Sequence, residues 1–255
     1  MNQNTSRRSF IRNASIGAVA TSLYPQIVSA AFEAEEIKKI SLEKNDVILF
    51  QGDSITDWGR AYDSRLPNTS NTLGAGFVLP LAGSLLMDFP GNNLQIYNKG
   101  IAGNKVFQLA DRWETDCLAL KPNVLSILVG VNDFSHTLWY GYKGTVETYL
   151  NDYRQLLNRT KKALPGVKLV IVEPFVLKTG KLITDKWFPA FDEYRKTARN
   201  VAAEFNAPFI PFQSVFDKAL ALAPAGYWSI DGIHPTVAGA ALMARAWREA
   251  IKGER

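Results

Sequence analysis

Three side chains in this 255-residue sequence have the types and spacing needed for nucleophilic acyl transfer. Ser54 ends a Gly-Asp-Ser tripeptide and offers a hydroxyl, which is a weak nucleophile that needs an adjacent base. Asp231 precedes His234 by three positions, so one loop can place a carboxylate beside an imidazole. Such a carboxylate orients the imidazole and stabilises its charged form. The pattern predicts Ser54 as nucleophile, His234 as general base and Asp231 as the partner of the base.

The tetrahedral intermediate of acyl transfer carries a negative oxygen, and the sequence offers three donors for it. Ser54 can supply its own backbone N–H, and Asn132 can supply a side-chain amide. Gly103 can supply a second backbone N–H, and its lack of a side chain lets a substrate approach closely. Because each preorganised donor lowers the barrier by about 3–4 kcal/mol, these residues are predicted to form an oxyanion hole.

The candidate residues follow segments that are typical of buried β-strands. Short apolar runs that end at glycine or polar residues predict strands at 46–51, 94–98, 124–129, 168–172 and, more weakly because Pro211 cannot donate to a sheet, 209–212. Helical patterns lie between them, at 77–88, 106–120, 146–163, 191–205 and 236–251.

Strands that are apolar on both faces and alternate with helices are typical of a parallel sheet covered on both sides. The sequence therefore predicts an α/β fold, a single-domain three-layer α/β/α sandwich with a parallel sheet of about five strands. Such sheets place their functional residues at the carboxyl ends of the strands. We expect the loops after the strands and the loop with Asp231 to meet at one edge.

The composition fits one globular domain and excludes several classes of function. The formal net charge is +5, but Arg7, Arg8 and Arg12 carry +3 of it within residues 1–30, which leaves +2 for the remainder. A body so close to neutral has no broad surface for nucleic acid. The lone Cys117 cannot form an internal disulfide, and two histidines are too few for a site with several imidazole ligands. No metal and no cofactor are expected.

The first thirty residues have the pattern of an export signal. A twin-arginine string, SRRSFI, is followed by a weakly apolar run at 14–23 and by the small residues VSA at 28–30. The apolar run is too short and too polar to span a membrane. We expect residues 1–30 to direct export to the periplasm or the extracellular space, and the mature chain 31–255 to begin near Ala31. A basic terminus without a targeting role and an uncleaved anchor are the alternatives.

Four blocks of the sequence resemble those of the SGNH (GDSL-type) hydrolases. They are GDSITD at 52–57, NKGIAGN at 98–104, GVND at 130–133 and DGIHP at 231–235. The resemblance spans about residues 46–251 and implies a flavodoxin-like fold without a cofactor. It also implies a triad of Ser54, Asp231 and His234, and an oxyanion hole of Ser54, Gly103 and Asn132.

Longer strings are similar to the acetylxylan esterase branch of these hydrolases. They are GDSITDWGR at 52–60, LGAGFV at 73–78 and HPTVAGA at 234–240. The branch removes acetyl groups from xylan and xylo-oligosaccharides, so the resemblance implies an acetylated saccharide as substrate. It leaves open whether the enzyme forms a homo-oligomer, which is frequent among such enzymes.

Four aromatic residues lie in predicted loops near strand ends and are candidates for substrate binding: Trp58, Trp139, Tyr140 and Trp228. Aromatic rings suit partly wet pockets, where their faces could stack on sugar rings. The alternative for each is packing inside the protein.

Three other functions remain open. The same triad could act on longer acyl esters, as in a lysophospholipase or thioesterase, because fold and triad do not fix the acyl group. A non-catalytic sugar-binding relative would share the fold, but the complete set of catalytic residue types disfavours it. A metallophosphoesterase is disfavoured because two-metal sites need more ligands than this sequence offers.

Overall fold

The computed structural model describes residues 26–32 and 38–252 and contains a sheet of five parallel strands. The strands are β1 Val47–Gly52, β2 Gln95–Asn98, β3 Val124–Leu128, β4 Lys168–Val172 and β5 Phe209–Ile210. Their order is β2-β1-β3-β4-β5, with every neighbouring pair parallel. The predicted α/β fold with a parallel sheet of about five strands is confirmed.

Helices connect the strands and cover both faces of the sheet. They are α1 26–32, α2 Ser54–Asp57, α3 Ser70–Leu73, α4 Val78–Asp88, α5 Val106–Asp111, α6 Trp113–Asp116, α7 Val131–Trp139, α8 Val146–Ala163, α9 Ala190–Glu204, α10 Phe212–Ala219, α11 Ala225–Trp228 and α12 Val237–Arg248. Within the described residues, none of these helices combines the length and the apolar character needed to cross a membrane.

Neighbouring side chains of the central strands identify the two helical layers. Phe50 of β1 packs on Trp247 of α12 with ring centroids 5.3 Å apart, and the Trp247 indole N–H donates to Ser126 Oγ of β3 at 2.9 Å. Gln51, the next residue of β1, points to the opposite face, where its amide donates to the Asp116 carbonyl of α6 at 2.8 Å. Helices α4 and α12 pack together on the first face. On the other face α8 packs between α5 and α9.

The helix predicted at 106–120 is wrong, because the chain is broken into α5, α6 and a 3-10 turn. Arg112 leaves the helical conformation between α5 and α6, with φ −108° and ψ 11°. Its guanidinium donates to the Lys99 carbonyl at 2.7 Å and to Asn104 Oδ1 at 2.9 Å. These bonds to the loop after β2 hold Arg112 in its non-helical conformation. They outweigh the preference of the local sequence for one continuous helix.

The fifth strand is shorter than the predicted 209–212. It ends at Ile210, because Pro211 has no N–H to donate and instead becomes the residue before helix α10. Two aromatic residues expected in loops lie in helices: Trp139 ends α7 and Trp228 ends α11. Helices α7, α10 and α11 were not predicted from the sequence.

The predicted export signal lies mostly outside the described residues. Only residues 26–30 of it are described, as the first part of helix α1 (26–32), in which Val28, Ala31 and Phe32 belong to the hydrophobic core. Ile40 pairs with Ile251 in a parallel bridge, so the segment that follows the signal is tied to the C-terminal end of α12. Export and cleavage before Ala31 stay predictions.

Candidate active site

The serine lies at the first position of helix α2, directly after strand β1. Asp53 caps the helix, because its Oδ1 accepts a hydrogen bond from the Ile55 N–H at 3.0 Å. Gly52 makes the sharp transition possible, since a Cβ at this position would overlap the Leu128 carbonyl of β3 and the Thr56 side chain. The Gly-Asp-Ser sequence thus presents the half-buried Ser54 at the carboxyl edge of the sheet.

Ser54, His234 and Asp231 form a continuous chain of hydrogen bonds. Ser54 Oγ lies 2.9 Å from His234 Nε2, although the two residues are 180 positions apart. His234 Nδ1 lies 2.7 Å from Asp231 Oδ2. With the carboxylate ionised, Nδ1 carries the proton and Nε2 is the acceptor that faces the serine hydroxyl. The arrangement is that of a serine nucleophile, its base and the residue that orients the base.

The loop that carries the acid and the base is held by its own backbone. Asp231 Oδ1 accepts hydrogen bonds from the N–H groups of Ile233 and His234, each at 2.8 Å. Ser229 Oγ donates to the His234 carbonyl at 2.8 Å. Burial alone would raise the pKa of Asp231, but the hydrogen bonds from the His234 side chain and from the two backbone N–H groups hold it below its ordinary value. Asp231 therefore stays ionised beside the imidazole.

The loops after β2 and β3 bring the predicted oxyanion donors to the same edge. The Ile101 N–H donates to the Gly52 carbonyl at 3.0 Å, which ties the loop with Gly103 to the end of β1. Gly103 has φ +78°, and a Cβ there would meet no atom within 4 Å. The glycine is thus required by its backbone conformation, and the space beside it is open. Asn132, at the start of α7, donates from Nδ2 to the Asn104 carbonyl at 3.2 Å.

Two buried carboxyl groups lie beside the candidate site, one next to Ser54 and one next to Asn132. Asp53 and Asp133 are each almost fully buried, and each leaves one carboxyl oxygen without a hydrogen-bond partner. Burial raises the pKa of both groups to about 7, against the lowering effect of two backbone N–H groups on each, and the negative charge of Asp53 raises the pKa of Asp133 further. Near neutral pH both carboxyls can therefore exchange protons.

A cavity of about 510 Å³ opens over the serine and the imidazole. Its lining combines the catalytic candidates with small and apolar side chains: Ser54, Asp57, Trp58, Gly59, Ala75, Ala102, Ile230, Asp231 and His234. Ala75, Ala102 and Ile230 were not singled out from the sequence. Ala75 and Ala102 lie inside the strings LGAGFV and NKGIAGN. These motifs could have identified them, whereas a search for reactive polar side chains could not.

The structure brings one of the four aromatic candidates to this cavity. Trp58 lines it, with its ring centroid 5.6 Å from that of His234. Trp228 is only 1% exposed, and its indole N–H donates to the carbonyls of Ala219 and Ala223, so it packs inside the protein.

Two further aromatic candidates lie at the C-terminal end of α7. Trp139 and Tyr140 are exposed there, and neither is among the residues that line the cavity. The Trp139 ring packs on Trp187, with centroids 5.6 Å apart. Their role in substrate binding stays a prediction.

The lone cysteine is not among the residues that line this cavity. Cys117 is buried, and burial raises the pKa of its thiol to about 12. Across residues 26–32 and 38–252, no group of three or more His, Cys, Asp or Glu side chains is placed to hold a metal ion.

Comparisons with known proteins agree with this geometry. Residues 50–242 match the model of the GDSL-like lipase/acylhydrolase family. An acetylxylan esterase from Geobacillus stearothermophilus is 32% identical, over 83% of this chain and 96% of its own length. A crystal structure of a GDSL-like lipase from Parabacteroides merdae ATCC 43184 is 58% identical with a TM-score of 0.82, over 83% of this chain and 98% of the other.

A crystal structure of an acetylxylan esterase from G. stearothermophilus is also similar, at 31% identity and a TM-score of 0.76, over 84% of this chain and 98% of the other. The family match covers most of the chain, and the curated relative matches almost along its whole length. This protein therefore belongs to the GDSL-like lipase/acylhydrolase family, in the acetylxylan esterase branch of the SGNH hydrolases, and is a carboxylic ester hydrolase.

Proposed function

We propose that this esterase removes acetyl groups from carbohydrates of the xylan or xylo-oligosaccharide type through an acyl-enzyme on Ser54. The observation that carries the proposal is the chain of hydrogen bonds from Ser54 Oγ through His234 to Asp231, at the wall of an open cavity. A serine whose hydroxyl already contacts the imidazole that acts as its base is ready to attack an ester carbonyl.

In the first step, Ser54 Oγ attacks the acetyl carbonyl while His234 Nε2 takes the hydroxyl proton. The negative oxygen of the tetrahedral intermediate is stabilised by the N–H groups of Ser54 and Gly103 and by the side-chain amide of Asn132. Asp231 stabilises the imidazolium that forms. When the intermediate collapses, the sugar oxygen leaves and receives the proton from His234, and the acetyl group stays on the serine.

In the second step, water hydrolyses the acetyl-enzyme. His234 takes a proton from the water as its oxygen attacks the acyl carbon, and the same three donors stabilise the second intermediate. The proton then returns to Ser54 Oγ as acetate leaves. In both steps the imidazole of His234 transfers the protons. Apart from the substrate and water, the mechanism uses only side chains and backbone groups of this protein.

Two observations support a small acyl group on a sugar. The wall near Ser54 includes the small side chains of Ala75 and Ala102, and the cavity is broadly open to solvent, as a bulky alcohol needs. Solved structures of the Geobacillus acetylxylan esterase include catalytic mutants at one serine, one aspartate and one histidine, and that aspartate precedes the histidine by three positions. Asp231 and His234 have the same spacing.

A second candidate function is the hydrolysis of longer acyl esters. Ile230 lines the cavity beside Asp231 and is 56% exposed, which gives the opening an apolar edge that an alkyl chain could contact. We rank this function second because Ile230 and Trp58 are the only large apolar side chains among the described residues that line the cavity.

The test is a panel of esters with the wild-type enzyme and two serine variants. Acetylated xylo-oligosaccharides should give higher kcat/KM than butyrate or longer esters of the same alcohols. Ser54→Ala should abolish acetate release, because it removes the attacking oxygen. Ser84→Ala, in helix α4 at the surface groove between α4 and α12, is the matched control and should leave turnover unchanged.

Two results would overturn the proposal in different ways. Undiminished turnover by Ser54→Ala would remove the acyl-enzyme mechanism itself. A wild-type enzyme that prefers long acyl chains and releases no acetate from saccharides would keep the mechanism and establish the second candidate function.

A further inference from the structure

Tyr62 is an exposed aromatic residue that is bonded to a side chain of the cavity wall, although Tyr62 itself is not among the residues that line the cavity. Its side chain is 56% exposed, yet its hydroxyl donates to Asp57 Oδ2, a carboxylate that lines the cavity. The guanidinium carbon of Arg60 lies 4.3 Å from the centroid of the tyrosine ring. The ring is therefore fixed at its hydroxyl end and covered on one face, and solvent reaches the opposite face.

The two groups that hold Tyr62 are themselves buried and anchored. Asp57 is 3% exposed, and besides the tyrosine hydroxyl its carboxylate accepts the Ala102 N–H at 2.9 Å. Arg60 is 5% exposed, and its Nε donates to the Gly100 carbonyl at 2.7 Å. These bonds join the ring to the loop after β2, which carries Gly103. Tyr62 is thus part of the same rigid unit as the proposed oxyanion hole.

A ring in this state is suited to one kind of contact. Its hydroxyl is already used, so it offers a flat apolar face rather than a further hydrogen-bond donor. An exposed tyrosine on a mobile loop would lose conformational freedom when a ligand packs on it, whereas a ring already fixed loses little. The apolar C–H face of a pyranose is the part of a sugar that packs on such a surface.

We propose that the exposed face of Tyr62 is the platform on which the sugar ring carrying the scissile acetyl group packs, beside Ser54. This inference rests on the proposed function and specifies how that site selects its alcohol. It assigns the sugar contact to a residue of the segment between α2 and α3, rather than to Trp139 or Tyr140. Tyr140 is more exposed, at 74%, and its ring is T-shaped against His136 and Trp139 rather than fixed at its hydroxyl to a side chain of the cavity wall.

The experiment compares two acetate esters that differ in their alcohol: acetylated xylobiose, which has sugar rings, and vinyl acetate, which has none. The measured quantity is the ratio of kcat/KM for the saccharide to kcat/KM for vinyl acetate. Tyr62→Ala should lower this ratio about tenfold, chiefly through a higher KM for the saccharide. Tyr62→Leu, which keeps apolar bulk without a flat ring, should lower it similarly and serves if the alanine variant folds poorly.

Two control variants separate the platform from other roles. Tyr62→Phe keeps the ring and loses the bond to Asp57, so it should hold the ratio within about twofold even if both rates fall together. Tyr227→Ala, at another exposed tyrosine that does not line the cavity, should leave the ratio unchanged. An unchanged ratio in both Tyr62→Ala and Tyr62→Leu would overturn the platform while the proposed function stands. A wild-type enzyme that cleaves vinyl acetate but not acetylated xylobiose would overturn the proposed function and the platform with it.

Discussion

Gly180 and Gly232 pack backbone against backbone, so closely that a Cβ on Gly180 would overlap the Cα of Gly232. Two hydrogen bonds flank this contact: the Leu177 N–H donates to the Gly232 carbonyl and the Leu182 N–H donates to the Asp231 carbonyl, each at 2.8 Å. The loop after β4 therefore supports the backbone on which the acid of the triad is placed, although it contributes no side chain to the cavity wall described above.

Gly180→Ala should lower kcat by at least about tenfold with little change in KM. The added methyl group must push the loop of Asp231 and His234 away, and a displacement of about 1 Å of a catalytic group can cost about 100-fold in rate. Gly166→Ala is the matched control, because a Cβ there meets no atom within 4 Å. Steady-state kinetics on an acetate ester would check this, and equal kcat values for the two variants would contradict it.

Asp231→Asn should lower kcat by about 10³–10⁴-fold while the protein remains folded. The amide can still accept the backbone N–H groups of Ile233 and His234, so the loop keeps its shape. It cannot stabilise the imidazolium, and it favours the wrong tautomer of His234. Turnover measured beside a thermal unfolding curve would test the role, and a loss of less than about tenfold would count against it.

Asn132→Ala should lower kcat by about 100- to 1,000-fold and change KM little. The lost amide acts on the negative oxygen of the intermediate, which the bound ester does not yet carry. Asn151→Ala, at an exposed position of α8, is the control and should behave as wild type. A variant in which KM rises while kcat is retained would place Asn132 in substrate binding instead.

Asp133→Asn should become progressively more stable than wild type as the pH rises from 5 to 8. Burial raises the pKa of Asp133 to about 7, whereas the unfolded chain releases this proton near its ordinary value of 3.8. Between these values the folded state binds the extra proton, so the wild-type free energy of unfolding falls as the pH rises towards 7. The asparagine has no such proton, because its amide does not titrate.

The free energy of unfolding of Asp133→Asn relative to wild type should therefore improve by about 2–3 kcal/mol between pH 5 and pH 8. Urea unfolding at the two pH values measures it. Asp111→Asn, at an exposed position of α5, is the control and should follow the wild-type curve. A pH-independent difference between Asp133→Asn and wild type would show that the carboxyl is not protonated in the folded protein.

The protein should be exported by the twin-arginine route and begin near Ala31 after processing. Replacing Arg7 and Arg8 together by lysine should keep it in the cytoplasm, because both guanidinium groups are needed for this signal. N-terminal sequencing of the exported protein measures the cleavage point. Recovery of wild-type chains with an intact Met1 from the cytoplasmic fraction only would contradict the prediction.

The sheet could be predicted because the residue types of its strands reflect how deeply the strands are buried. Strands β1, β3 and β4 are buried on both faces, and their mainly apolar runs located them to within one residue. Helix α7 was missed because VNDFSHTLW is rich in polar residues and follows Gly130, whose φ of +135° lies outside the helical region. The break at Arg112 depends on partners in another loop, which no local pattern reveals.

For the site, residue types and their order pointed to Ser54, His234 and Asp231, because acyl transfer limits which groups can serve. The parts that support them depend on contacts across long stretches of sequence. Asp57 links Tyr62 to Ala102, and Gly180 meets Gly232 across fifty-two positions. Such contacts exist only after folding, so the sequence alone could not assign a role to either residue.

The two edge strands of the sheet are short, four residues in β2 and two in β5. Pro211 follows β5 directly and removes a donor where that edge would continue. Neither border offers a long row of free backbone groups to a neighbouring molecule, which protects the enzyme against aggregation by strand addition at high concentration. Any self-association would consequently be built from helix and loop surfaces, not by extending the sheet from one copy to the next.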